Sequence, residues 1–560
     1  MTRKFKDQDF LTDNDLSVSV LGFWPGRKIK NLELLNSFQE KYSRDFLGGD
    51  EFVAYAQSLV SNGMDFDALE EEMLKDIRDP EKGDIGEIIF KKTASGIGRG
   101  HSLGGLSGVA FGIHGTKMID SGLTGLCMSR SLVTSSRRRE TTTEEIAIPE
   151  VLFDREDLLK EYLEISRDVL RMSSDFKDKF GKLGGVETFN KVIPYNNPAD
   201  LFIVLPLDTL STIVSETRAD NLNPNGRFIP REVHTLAEKL AEIEESVGQG
   251  TMFRQRIEVP RDTYLHYCVF KDPSSPNYSL EKGIKNKMSI DPIVIECFKD
   301  FTSGFYENLK IVIGAFKRAG KTNDPEELHK RALESMYALR NFSNEYNEAV
   351  RIKIADTLSW RVWSEQKRHS TLRQNVESVY SAVYRAEART RGFWELIEKA
   401  YKENNFEIIE GKLDELEKYI VIDERMKKSP ELIIPYIYHT ARQLKFYDKL
   451  LEEGIEERDA LYIAPKNIRV RTLENYDLAN LVDLELPLRL CDTCEPERKA
   501  SSWKKREKIL EIVPELERLI QPKCNIGYCT EGKYCGNVLR FRDDYNQELH
   551  KEVKTAMLGR

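Results

Sequence analysis

The chain echoes itself. "VAFGIHGT" at 109–116 and "VRIKIADT" at 350–357 share the pattern V-x-[FI]-x-I-x-x-T. Each alternates apolar and polar residues with a period of two, as a half-buried strand does. Each then enters a polar, arginine-containing segment, "CMSRSLVTSSRRRETTT" in one case and "SEQKRHSTLRQNVESVY" in the other. A second echo pairs "ADLFIVLPLDTLSTI" (199–213) with "RDALYIAPKNIRVRT" (458–472), apolar residues leading to a proline and then a β-rich tail. A third pairs "IPREVHTLAEKLAEIEESV" with "EPERKASSWKKREKILEIV", where proline and acid open a helical pattern. Three echoes in one order imply a tandem duplication, with copies over 1–250 and 262–560. The stretch "GQGTMFRQRIEVPRDT" is the expected connection. The helix-rich region 320–450 reads as an amphipathic insertion or an exposed face.

A length of 560 residues exceeds one ordinary core and agrees with at least two domains. The net charge is −9, and the one basic run, "SRSLVTSSRRR", is followed at once by acids. This balance argues against a nucleic-acid partner. No apolar run reaches the length of a membrane span, and the longest is broken by Pro206 and Asp208. The first residues lack an apolar signal region, so the expected location is the cytoplasm, with no membrane partner.

Between 364 and 380 the chain gathers Arg368, His369, Asn375, Glu377 and Ser378. A fixed cation, an imidazole, an amide, a carboxylate and a hydroxyl at this spacing suit either a solvated helix face or the wall of an anion site. The run Arg137, Arg138 and Arg139 offers the same two readings. His101 and Ser102 sit in a glycine-rich loop without the spacing of a dinucleotide fingerprint. Gly320, Lys321 and Thr322 follow the strand-like "LKIVIG", but five residues separate Gly314 from Gly320 where a phosphate loop needs four. Of eight cysteines, Cys491, Cys494, Cys524, Cys529 and Cys535 fall together near the end as C-x2-C and C-x4-C-x5-C. With Gly527, Gly532 and Gly536 between and beside them, they suit zinc or an iron–sulfur cluster; buried free thiols are the alternative.

The motifs resemble those of the flavin-dependent thymidylate synthases in a tandem-repeat form. That family carries R-H-R-x-x-S-x-N-E-x-S-x-R-Y after a strand, matched here by Arg368, His369, Asn375 and Ser378. "LLEEGIEERDALYIAP" is similar to its G-I-x-x-x-x-A-R-x-x-L-P run, and "ENYDLANLVDLELPLRLC" to its N-x-R-x-L followed by L-R. "CEPERKASSWKKREKILEIVPEL" is similar to its A-Q-x-E-I-R helix, and "GRGHSLGG" to its G-H-x-S loop. The tail "PKCNIGYCTEGKYCG" is similar to the cysteine-bearing end of some members.

The resemblance implies an α/β (α+β) fold in two copies and an enzyme that binds FAD. Its expected reaction is reductive methylation of deoxyuridine monophosphate with a methylene-folate. It assigns Arg368 and Arg489 to catalysis, and Ser378, Arg489, Arg137 and Arg138 to the nucleotide. Arg368, His369, Asn375, Asn475, His101 and Ser102 would hold the flavin. Family members form tetramers with sites between subunits, so a two-copy chain is expected as a homodimer. Several family positions differ: the third residue of R-H-R is Ser370, and Leu461, Asp477, Glu495 and Lys499 stand at four others. The competing class is a homologue that kept the fold as a binding or scaffolding protein.

Overall fold

The computed structural model describes residues 10–11, 16–24, 26–61, 68–83, 85, 87–89, 92, 107–126, 131–134, 146–223, 225–246, 269–274, 290–367 and 371–557. The chain divides into two compact units. Unit 1 takes 1–275, 378–408 and 429–466; unit 2 takes 276–377, 409–428 and 467–560.

Unit 1 holds a four-stranded sheet of β1 (Ser17–Trp24), β2 (Gly108–Thr116), β3 (Ser131–Thr134) and β4 (Pro198–Pro206). Its order is β1-β2-β4-β3, and every neighbouring pair is antiparallel. The period-two pattern of β2 buries Val109, Phe111 and Ile113 on one face. A register shift between Val20 and Gly22 marks a bulge against β2. A separate apolar cluster near the N-terminus gathers Leu34, Phe38, Tyr55 and Met73 from three helices.

Unit 2 holds β5 (Ile293–Lys299), β6 (Val350–Ser359), β7 (Arg373–Val376) and β8 (Arg469–Asp477). The order is β5-β6-β8-β7, again wholly antiparallel. First, second, fourth and third strands thus lie side by side in each unit. Each second strand runs into a helix, Lys117–Leu126 in one and Trp360–Gln366 in the other. Each fourth strand runs into a helix as well, Leu207–Asn221 and Leu478–Val482. Each series reaches a later helix, Arg231–Ser246 and Pro496–Ile512, as the third echo implies. The architecture is α+β.

Two readings of the sequence need correction. The second echo is out of register. Residues 199–206 are strand, whereas 458–463 form two short helical turns and the strand starts only at Arg469. The strand β4 therefore corresponds to β8. The prolines differ in role: Pro206 sits at the N-cap of a helix, while Pro465 lies ahead of a strand. Pro465 instead forms an antiparallel bridge with Pro194, which likewise precedes a fourth strand. The "LKIVIG" segment is not a strand but part of the helix Ser303–Ala319, capped by Gly320. Its leucine and valine recur at helical spacing, burying Leu309 and Val312.

Part of the 320–450 region is core rather than an exposed face. The helix Pro430–Glu452 buries Tyr436, Ile437, Leu444 and Tyr447 within unit 1. Its charged residues form pairs inside that unit. Arg442 contacts Asp168 at 2.7 Å and Glu164 at 2.6 Å, and Lys449 contacts Glu161 at 2.6 Å. No described helix is long and apolar enough to cross a membrane.

Candidate functional site

The motif stretch 364–380 spans the end of one helix, a turn, a strand and the start of another helix. Trp360–Gln366 is capped by the Ser359 hydroxyl, which accepts from Val362 N at 3.2 Å. Trp360 and Trp363 are wholly buried and fix the helix. Then β7 pairs with β8, placing Arg373 opposite Asn475 and Asn375 opposite Leu473. Alternation puts Arg373, Asn375 and Asn475 on one sheet face, and Gln374 and Glu474 on the other. The Asn475 amide donates to the Arg373 carbonyl at 3.5 Å.

The polar face carries an exposed guanidinium. Arg373 has no ion pair among the described residues, and its neighbours Asn375 and Asn475 are half-buried. Two further arginines on β8 are committed elsewhere. Arg471 donates from N at 2.6 Å and from Nε at 2.7 Å to the buried Glu377 carboxylate. Arg469 donates to the carbonyls of Glu417 and Thr357. The Arg471 pairing braces the end of β7, the Arg469 bonds tie β8 to β6 and to the Glu417 carbonyl, and neither offers charge to a ligand.

The opposite face is closed by the helix Pro496–Ile512. Lys505 Nζ donates to Glu474 at 2.6 Å and lies 2.7 Å from Asp356, with all three side chains fully buried. Arg498, equally buried, lies 3.4 Å from Glu474 and 3.6 Å from Glu485. Arg489 donates to Glu485 at 2.8 Å. Three carboxylates thus meet three cations, and the patch is neutral. Burial pushes the Glu474 carboxyl up, but the Lys505 and Arg498 charges and the Gln366 hydrogen bond outweigh it and hold it well below the usual carboxylate range.

Several buried polar atoms of this region have no hydrogen-bond partner among the described residues, and two of the groups stand out. One is the buried Gln374 side chain, with both its amide nitrogen and oxygen open. The other is the Nη2 nitrogen of Arg489. A buried amide with neither atom bonded costs a few kcal/mol and is a ready acceptor and donor for a bound polar group.

The expected site residues fall into three groups. Arg368, His369, His101, Ser102, Arg137 and Arg138 lie outside the described residues. Asn375 and Asn475 are brought together on one face, whereas Arg489 belongs to the buried ionic patch. Ser378 belongs to unit 1, where its hydroxyl donates to the Lys271 carbonyl at 2.6 Å. It heads the helix Val379–Arg391, and Val379 N donates to the Val269 carbonyl at 2.7 Å.

The departures from the family pattern have structural uses here. Leu461 is fully buried. Asp477 caps the helix Leu478–Val482, accepting from Asn480 N at 2.9 Å, and pairs with Arg351 at 3.3 Å. Glu495 caps Pro496–Ile512 by accepting from Arg498 N at 2.9 Å. Lys499 pairs with Asp492. Sequence reasoning missed Arg373, although it lies three residues after Ser370, where the family has arginine. A guanidinium lost at one position and present one turn of chain later was the signal. It also missed His114, which meets Asp200 at 2.8 Å on the sheet of unit 1.

The metal expectation is corrected in two respects. Among the described residues, no group of three or more His, Cys, Asp or Glu is arranged to hold a metal ion, so neither the zinc nor the iron–sulfur cluster expected on the five cysteines is supported there. Cys494 is not among the residues lining the cavity that Cys491, Cys524, Cys529 and Cys535 share. Its backbone N–H instead closes a turn onto the Cys491 carbonyl.

No family model matches the chain. Curated proteins do. The flavin-dependent thymidylate synthase of Pyrococcus abyssi is 30% identical over 148 residues, 25% of this chain and 60% of that one. The protein of the same name from Pyrococcus horikoshii is 29% identical over 159 residues, covering 27% and 65%. That of Sulfurisphaera tokodaii is 32% identical over 114 residues, covering 20% and 43%. Each of these similarities is to a flavin-dependent thymidylate synthase. The chain spans less than two thirds of the length of these flavin-dependent thymidylate synthases. Among solved structures, a UMP/dUMP methylase from Streptomyces cacaoi bound with 5-Br dUMP shares 12% identity at a TM-score of 0.32, covering 45% of this chain and all of that one. Thymidylate Synthase X from Helicobacter pylori, with FAD and dUMP, shares 17% identity at a TM-score of 0.25, covering 41% and 97%.

Proposed function

We propose that the protein is an FAD-dependent enzyme that methylates deoxyuridine monophosphate or a close analogue, taking the carbon from a methylene-folate. The sequence similarity to curated flavin-dependent thymidylate synthases carries this reading. The residues of unit 2 fit a flavin or nucleotide in chemical type. Arg373 supplies a permanent guanidinium for an anionic oxygen, and Asn375 and Asn475 supply amides on the same face. When bound, reduced flavin would supply the hydride. This chain's residues would hold the phosphate, orient the base and exclude water.

The test is direct. The purified full chain should carry flavin absorbance and should convert deoxyuridine monophosphate to the 5-methyl product when given methylene-tetrahydrofolate and a reductant. Light scattering should give a homodimer. Flavin-free protein that binds neither FAD nor the nucleotide at millimolar concentration would defeat the proposal.

One observation favours the second class, a non-catalytic binding homologue. Leu461, Asp477 and Glu495 replace family residues and now serve the core and two helix caps. Under that reading the protein binds nucleotide or flavin but gives no turnover.

A further inference from the structure

Unit 2 contains a cavity of about 490 Å³, within the roughly 300–1,000 Å³ of small-molecule sites. Three pieces of chain enclose it. The short helix Leu486–Arg489 and the residues just after it bring Leu488 and Leu490. The helix Pro496–Ile512 brings Lys499 and Trp503. The cysteine-bearing lobe from Gln521 onward brings the remainder of the wall. Gly527 and Gly536 have φ of 126° and 88°, so this lobe turns sharply at two points where a side chain would be strained.

The lining is apolar and soft. Leu490, Cys529 and Leu539 are buried. Trp503 and Tyr534 add rings, and the Tyr534 hydroxyl is already committed, donating to the Asn537 carbonyl. Cys491, Cys524 and Cys535 add free thiols. Rings and sulfur favour a flat, polarisable occupant.

The charged residues of the wall have one sign in excess. Lys499, Lys523, Lys533 and Arg540 stand against Asp492 and Glu531. The chain as a whole carries −9, so this surplus of cations is local. Lys499 is paired with Asp492, and Arg540 with Glu517. Lys523 and Lys533 have no ion pair among the described residues. Two ammonium groups are therefore open to an anion.

A buried acceptor is open as well. Asn525 lines the cavity and is 6% exposed. Its amide nitrogen donates to the Arg518 carbonyl at 2.8 Å, which fixes the end of the amide that is oxygen. That oxygen is buried with no hydrogen-bond partner among the described residues. An N–H or O–H on an occupant would satisfy it. Arg373, Asn375 and Asn475 do not line this cavity, so it is separate from the open sheet face.

We propose that the cavity binds an aromatic organic anion that carries a hydrogen-bond donor. Its ring lies among Trp503, Tyr534 and the thiols. Its anionic group meets Lys523 and Lys533, and its donor meets the Asn525 oxygen.

The test uses the full chain and indole-3-acetate, an aromatic carboxylate with a ring N–H. Two further probes each remove one feature: indole-3-ethanol is neutral, and naphthalene-1-acetate lacks the N–H. Calorimetric titration should show saturable binding of indole-3-acetate, at least tenfold tighter than the alcohol and at least threefold tighter than the naphthalene. Lys523→Gln combined with Lys533→Gln should weaken indole-3-acetate at least tenfold and leave the alcohol unchanged. Lys504→Gln, on the helix of Trp503 but paired with Asp291, should change neither. Bound indole-3-acetate should slow iodoacetamide alkylation of Cys491 and Cys535 and leave the exposed Cys297 at its free rate. Where the double variant loses its fold by circular dichroism, alkylation of the wild type decides instead. No saturable binding at millimolar concentration, equal affinity for acid and alcohol, affinity indifferent to both lysines, or unprotected thiols would each overturn the proposal. Equal affinity for naphthalene-1-acetate would overturn the role of Asn525. Neither lysine lies on the open sheet face, so the outcome is independent of the proposed methylation.

Discussion

Lys505 Nζ stands 2.6 Å from the Glu474 carboxylate and 2.7 Å from that of Asp356, with none of the three side chains reaching solvent. An ammonium so placed is held by its partners alone. Lys505→Met leaves two buried carboxylates with only Arg498 between them. Unit 2 should lose about 3–5 kcal/mol, the scale for breaking a buried pair from one side. Urea unfolding followed by tryptophan fluorescence measures it, through Trp360, Trp363 and Trp503. A loss under 1 kcal/mol would show that the lysine is not the clamp.

Glu474 sets an acid limit. Its carboxyl is held below its unfolded value of about 4.3, so its contribution is full above that pH. Stability should fall as pH drops below about 4.3, where the unfolded chain takes up a proton that the fold resists. Glu474→Gln should be less stable at pH 7 and show a flatter acid limb. Melting temperature against pH for both proteins is the measurement.

Glu387 predicts the opposite slope. Burial first, and the Asp448 charge second, raise its carboxyl to about 7, while the nearby Arg391 guanidinium is shared with Asp448. The folded chain keeps a proton that the unfolded chain releases above about 4.3. This contribution is full below that pH and is lost as pH rises through about 7. Glu387→Gln should therefore raise the melting temperature at pH 8 relative to wild type and gain little at pH 4.

Arg373→Ala tests the open face of the sheet in unit 2. Under the proposed function it should weaken binding of flavin or nucleotide by about 1.5–3 kcal/mol, the scale of a hydrogen bond to a charged group. Fold stability should change by less than about 0.5 kcal/mol, because the side chain is exposed. Calorimetric titration with FAD and with deoxyuridine monophosphate reads both affinities. Unchanged affinity for both would remove Arg373 from the site.

Gly527→Ala should destabilise the cysteine lobe. The backbone has φ of 126°, and a Cβ there would stand 2.8 Å from the Ala319 Cβ. Strain and collision act together, and a cost of about 1–3 kcal/mol is expected. Limited proteolysis should cut the region 521–546 faster in the variant.

What the sequence made legible was periodic. Val109, Phe111 and Ile113 alternate, and so do Ile352 and Ile354, so the second strand of each sheet could be read at once. The fourth strands were harder. Glu474 and Thr472 occupy buried positions that an apolar pattern does not mark, because Lys505 and Arg498 compensate the charge from 24 and more residues away. The residues 378–408 and 429–466 could not be assigned from local pattern either. Helix periodicity in Pro430–Glu452 reports a buried face but not which core receives it. Asn375 and Asn475 were legible as polar residues of motifs. Their shared face required the pairing register, which short-range sequence does not contain.

The repeated strand order has a consequence for heredity. An assembly built from identical single-copy chains must accept every substitution at every equivalent position simultaneously. Here a codon for one second strand specifies His114 and a different codon, at the matching place, specifies Ala355. A change at one leaves the other untouched. The two units can drift apart, each answering only to its own neighbours. Natural variation in this chain should therefore be lopsided, with tolerated changes crowding into one member of each matched pair of positions.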